Sequence, residues 1–226
     1  MITDINKLIS PRLLEVIKFI EDKDTLDVGS DHAYLPIYLK NNGFKSKIYA
    51  SENKIGPFNN LKKSIKFFNM ENFITPILAD GLDNLVDVKQ LVFTGMGGYL
   101  IANILLNGQK FNWENKIENM VIEPQKDLYV VKKLLIETFN FHEVNGKYIS
   151  EKGHIYPILV FKKGKEQVSE LDLHFSSTAL KNNDKILFEY LEKKEKELDS
   201  INSNFPSNKT IKNLEIVKEA LKKYGR

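Results

Sequence analysis

Five short apolar runs alternating with helix-like segments, then two further runs with no helix between them, constrain this fold more than any other feature. The runs "TLDVG", "SKIYASE", "FITPILAD", "QLVFTGMGG" and "NMVIEP" each read as a short, largely buried strand. Between them "YLPIYLKNNG", closed by Gly43, and "GPFNNLKKSIKFFNM", with Phe58, Leu61, Ile65 and Phe68 at helical spacing, read as helices. Asp127 to Thr138 supplies the helix after the fifth strand, and Ser10 with Pro11 caps an earlier one carrying Leu13, Leu14, Ile17 and Ile20. Pro76 marks the third strand as an edge or an irregular end. Such alternation predicts an α/β fold, a parallel sheet covered on both faces by helices. "FHEVNGKYISEKGHIYPILVFKK" then adds an antiparallel hairpin turning at Glu151 to Gly153.

The texture changes near Lys165. Leu180, Leu187, Leu191, Leu198 and Ile201 form a near-heptad seam interrupted by Lys194, and "FPSNKT" is a turn with Ser207 or Asn208 as cap. Ile211, Leu214, Ile216 or Val217, and Leu221 follow. Residues 165–226 are therefore expected to form an antiparallel, coiled-coil-like helical hairpin attached to a domain of residues 1–164. The chain has no cysteine, and no two of its four histidines stand at metal-ligand spacing, which argues against a zinc site. The charged, amphipathic N-terminus lacks the pattern of a signal peptide or membrane span, so a cytoplasmic location is expected. A net charge of +3 permits a phosphate-rich partner without requiring one.

The stretch "LDVGSDHAYLPIYL" resembles a nucleotide-binding turn with most of its glycines missing. A pyrophosphate needs bare backbone there, and Asp31 would repel it. A cationic ligand would welcome the same carboxylate. Ligands of doubly wound sheets lie beyond the carboxyl ends of the strands, and four such ends carry polar or glycine punctuation: Gly29 to His32, Glu52, Asp80-Gly81 and Gly95 to Gly98. Glu52 is placed to accept both hydroxyls of a ribose and Asp80 an adenine amino group. Taken singly, Glu52 and Asp80 read equally well as helix-capping acids, "GMGG" as a plain loop, His32 as a structural hydrogen-bonder, and Tyr34 and Tyr99 as packing residues. The order of all four strand ends is what favours a ligand site.

"LDVGSDHAYLPIYL", "SENKIGPFNNLKKS", "LADGL" and "VFTGMGGYLIANIL", in this order and spacing, resemble the bacterial TrmK family over roughly Leu8 to Lys163. The resemblance implies a Rossmann-like class I methyltransferase sheet, with S-adenosyl-L-methionine as cofactor and N1 of adenine 22 in the tRNA D arm as target. It implies that Asp27, Gly29, Ser30, Asp31 and His32 surround the methionine end of the cofactor, Glu52 its ribose, and Asp80 with Gly81 its adenine. Gly95, Met96, Gly97 and Gly98 would border the transfer site. Asp31 is the first candidate to orient the target's exocyclic amine or accept its proton, and His32 the second. Because N1 lies on the pairing edge, the base must be splayed out, with Tyr34, Tyr99, Pro124 and Gln125 as expected neighbours. The family tends to show Q-P-N where this chain has Glu123-Pro124-Gln125. Arg12, Lys7 and the lysine-rich tail are candidates to track phosphates, although acids nearly balance bases in that tail. A monomer is expected. The competing readings are the same fold acting on another RNA or a small molecule, and a non-catalytic RNA-binding module. A nicotinamide enzyme is disfavoured by the missing glycines.

Overall fold

A computed structural model describes residues 4–83 and 85–226. Its core is one seven-stranded sheet in the order β3-β2-β1-β4-β5-β7-β6. The strands are β1 (Thr25–Val28), β2 (Ile48–Glu52), β3 (Ile74–Leu78), β4 (Gln90–Met96), β5 (Asn119–Pro124), β6 (Phe141–Glu151) and β7 (His154–Lys163). The first five pair in parallel, while β7 runs antiparallel to both β5 and β6. Pro76 lies on β3, at the sheet's edge, where a missing donor costs least.

Alternation along the strands divides the core between two faces. Leu91 and Phe93 of β4, with Met120 and Ile122 of β5, enter one cluster; the intervening Val92 and Val121 enter another. Helix α4 (Gly98–Gly108) and helix α5 (Leu128–Lys133) cover the first face through Ile101, Leu105 and Val131. Helices α1 (Pro11–Ile17), α2 (Tyr34–Asn41) and α3 (Ile55–Phe67) cover the second. Ser10 caps α1 as anticipated, its hydroxyl accepting from Leu13 N–H, with Pro11 at the first position. Only Val16 of α1 is fully buried, and Ile20 lies beyond the helix end.

Two regions differ from the sequence expectation. The helix after β5 is α-helical only to Lys133; Leu134–Thr138 widens into a π turn. Leu135 and Ile136 are both buried within it. The tail is also more than a hairpin. Short helices α6 (Glu170–His174) and α7 (Ser177–Lys181) precede α8 (Lys185–Asn204) and α9 (Asn208–Lys222). Asn183 adopts a left-handed conformation and Asp184 caps α8, so Leu180 belongs to a separate helix and not to the α8 seam. Leu187, Leu191 and Leu198 are buried against Ile216, Val217 and Leu221, while Ile201 stays exposed. Ser207 caps α9 in a capping box with Thr210. Tyr148 of β6 belongs to the same cluster as these helices, so the tail packs directly on the terminal strands.

Candidate active site

The sheet order reverses between β1 and β4, and the carboxyl ends of β1, β2, β3 and β4 converge there, where such sheets bind ligands. A cleft of about 240 Å³ opens at this point. Of the anticipated residues, Gly29, Glu52, Asp80, Gly81 and Met96 line it; Asn53, Leu100 and Ile104 line it too and were not anticipated. Asn53 donates to Asp80 Oδ1 at 3.2 Å, which turns that carboxylate toward the end of β2. Leu100 and Ile104, one helical turn apart on α4, supply the cleft's apolar wall.

The turn after β1 is built by backbone. Gly29 (φ +71°) and Ser30 both donate to Ser51 C=O, at 3.0 and 2.9 Å. Asp31 and Ala33 adopt left-handed conformations that non-glycine residues visit rarely, so the turn is held by its surroundings. One such restraint is Glu52, whose Oε1 accepts Asp31 N–H at 2.7 Å. A side chain at Gly29 would stand 2.2 Å from the Met96 methyl, so the glycine leaves the space that this methyl occupies at the cleft wall.

Asp27 lies at the base of the turn, outside the cleft lining, and is only 2% exposed. Ser30 Oγ donates to its Oδ2 at 2.5 Å, whereas Oδ1 is buried with no partner. Burial and the nearby Glu52 charge push the carboxyl up to about 7 against the Ser30 hydrogen bond. Because this folded value lies above the ordinary 3.8, Asp27 contributes its full stability below pH 3.8 and loses it as pH rises through about 7. A cationic ligand favours the ionised form, so its affinity should rise across the same window. Thermal denaturation across this range should show a stability decline in the wild type that Asp27→Asn, neutral throughout, lacks; equal slopes would refute this assignment.

Asp31 and His32 sit at the exposed rim. Asp31 Oδ2 lies 3.7 Å from His32 Nε2, with the two side chains 65% and 43% exposed. The His32 ring stacks on Tyr34 at 5.2 Å between centroids. Tyr34 itself is partly buried against Ile37 and its neighbours, so it backs His32 and is not a free platform. Tyr99, by contrast, is exposed at the start of α4.

Several residues anticipated on the substrate side are engaged elsewhere in the fold. Arg12 does not offer a free charge: it is ion-paired with Glu123, and with Glu151 at 3.3 Å, and lies 5.0 Å over the Tyr156 ring. Gly98 is buried, and its missing side chain makes room for Asp127 C=O, which a Cβ would approach to 2.1 Å. It therefore serves the contact between α4 and the β5–α5 turn, also tied by Gly98 N–H to Lys126 C=O at 2.8 Å. Gly97 is partly exposed, and a Cβ there would lie 3.2 Å from the Lys126 side chain. Pro124 is buried too; with Gln125 it borders a second groove rather than the cofactor cleft. Lys7 takes part in a short 3-10 turn at the N-terminus. Among the described residues no cluster of His, Asp or Glu could hold a metal ion, and no helix is long and apolar enough to cross a membrane.

A cleft lined by the carboxylates of Glu52 and Asp80 at the switch point suits a ligand bearing a ribose and cationic groups. Fold and cleft together define a Rossmann-like, S-adenosylmethionine-dependent methyltransferase. The chain belongs to the TrmK family: the family model, described as tRNA (adenine(22)-N(1))-methyltransferase, matches residues 25–226. The tRNA (adenine(22)-N(1))-methyltransferase of Bacillus subtilis (strain 168) is 30% identical over 159 residues, covering 69% of this chain and 66% of that protein, just under two thirds of its length. A Streptococcus pneumoniae structure in complex with S-adenosyl-L-methionine matches with TM-score 0.86 and 28% identity, over 94% of this chain and 99% of that one. M. capricolum TrmK in complex with S-adenosyl-homocysteine matches with TM-score 0.79 and 28% identity, over 96% of each chain.

Proposed function

We propose that this chain transfers a methyl group from S-adenosyl-L-methionine to N1 of adenine 22 in the tRNA D arm. The observation that carries the reading is the convergence of Gly29, Glu52, Asp80 and Met96 on one cleft at the switch point. When bound, the cofactor supplies an electrophilic methyl group on its sulfonium. Glu52 would hold the ribose, Asp80 and Gly81 the adenine, and the carboxylates of the β1 turn the cationic amino-acid end. Adenine N1 already carries an in-plane lone pair, so the protein's task is to hold that atom in line. Asp31, exposed at the rim, is placed to orient the exocyclic amine or take its proton, with His32 beside it. Tyr99 is the exposed aromatic available to a splayed-out base.

On the same reading residues 165–226 are the tRNA-binding appendage of a methyltransferase domain of residues 1–164. A groove of about 390 Å³ runs between the β5–α5 turn and helices α8 and α9, lined by Gln125, Lys126, Tyr129, Tyr190, Lys194 and Lys209 among others. Interleaved lysines and aromatics of this kind suit a phosphate backbone and unstacked bases. On this reading the protein works on tRNA as a monomer in the cytoplasm. Nucleoside mass spectrometry of a tRNA pool incubated with protein and cofactor tests the reading. Appearance of 1-methyladenosine is the expected result, and unmodified adenosine throughout would overturn it.

A further inference from the structure

Glu123, near the end of β5, is a fully buried carboxylate beside the G-M-G-G turn that the catalytic reading leaves without a task. Its side chain is 0% exposed. The β4–β5 register shifts between Thr94 and Met96, leaving Gly95 as an extra residue with φ +73°. An extra residue in a strand loses its ladder partner. Here Glu123 Oε2 takes over, accepting Gly95 N–H at 3.0 Å and pairing with the Arg12 guanidinium. Arg12 in turn is held by Glu151, through its backbone N–H at 3.1 Å and its Nε at 3.3 Å. The bulge aims Met96 into the cofactor cleft, against Gly29. Glu151 begins the β6–β7 turn, whose Gly153, His154 and Tyr156 border a groove shared with Gln125, Lys126 and α8.

We propose that Glu123 is a positioning residue for methyl transfer, its carboxylate fixing the Gly95–Met96 bulge and, through Arg12, tying it to the β6–β7 turn. The inference rests on the methyltransferase reading above. A merely stabilising acid would satisfy the same Gly95 N–H but leave kcat of the folded protein unchanged when removed. The neutral isostere keeps an acceptor for that donor while giving up the ion pair, and this separates the two contributions.

The test uses the full chain and compares E123A with E123Q in kcat, in affinity for S-adenosylhomocysteine and tRNA, and in amide exchange at Gly95. E123A should lower kcat about tenfold or more, since small displacements at a reacting centre cost that much. Both affinities should stay within about threefold. E123Q should restore kcat to within about threefold of wild type and keep Gly95 protected. Wild-type kcat in E123A, or an E123Q as slow as E123A with Gly95 still protected, overturns the proposal. Should E123A fail to fold, E123Q decides alone: loss of Gly95 protection with unchanged kcat is fatal to it. If the wild type itself forms no 1-methyladenosine, the functional reading has failed instead, and Gly95 exchange together with S-adenosylhomocysteine affinity still tests the role of Glu123.

Discussion

Lys132→Ala lowers the unfolding free energy by about 3–5 kcal/mol in urea denaturation, a large fraction of what a domain of this size has to lose. Lys132 and Glu143 form an ion pair with both side chains fully buried. Glu143 also accepts from Ser176 Oγ and Thr178 Oγ1, each at 2.6 Å, and from Thr178 N–H at 3.0 Å. Lys132 Nζ donates in addition to Phe175 C=O at 2.7 Å. Removing the lysine strands a carboxylate with no access to water, which costs far more than the net value of the pair. The effect should shrink in the double variant with Glu143→Gln, because the stranded charge is then gone. Lys133→Ala is the control: its pair with Glu137, at 4.0 Å and half exposed, is screened by water, and its loss should leave the denaturation midpoint essentially unchanged. The network also locks the connection between α6 and α7 onto α5 and β6. Loss of Lys132 should therefore loosen the tail and the groove beside it, and an equal effect from Lys133→Ala would contradict this.

Glu52→Ala weakens S-adenosylhomocysteine binding by about 10- to 100-fold in calorimetry, the worth of one or two hydrogen bonds to a charged group. Two physical losses combine. The cleft loses the carboxylate proposed to hold the ribose, and Asp31 loses the acceptor that restrains its left-handed backbone. Glu52→Gln keeps an oxygen for Asp31 N–H and should recover part of the affinity. Unchanged affinity in Glu52→Ala would remove Glu52 from the site.

Much of this architecture was legible along the chain because its determinants are local. Strand and helix periodicities, the Ser10-Pro11 cap and the polar punctuation of four strand ends all lie within a few residues of what they control. Asp31 reads from the sequence alone as favouring a cationic ligand over a pyrophosphate, and the fold sets it at the exposed rim of the turn, outside the cleft lining. What was hidden depends on partners far apart in sequence. Arg12 looks like a phosphate-tracking cation until Glu123 and Glu151 are folded against it. Gly98 looks like a ligand-side glycine until the Asp127 carbonyl is seen occupying the space of its side chain. The buried Lys132 has no local signal among so many lysines, since its partners arrive from β6 and from the tail. Leu180 fits the heptad spacing of α8, yet the Asn183–Asp184 break puts it on another helix.

The central claim is site-specific methylation, and it is tested most directly with two tRNA transcripts identical except at position 22. Incubated with the full chain and S-adenosyl-L-methionine, the transcript carrying adenine 22 should gain one methyl group, recovered as 1-methyladenosine at that position. The transcript with guanine 22 should gain none. Equal methylation of both, or methylation of neither by a protein shown to bind the cofactor, would contradict the account.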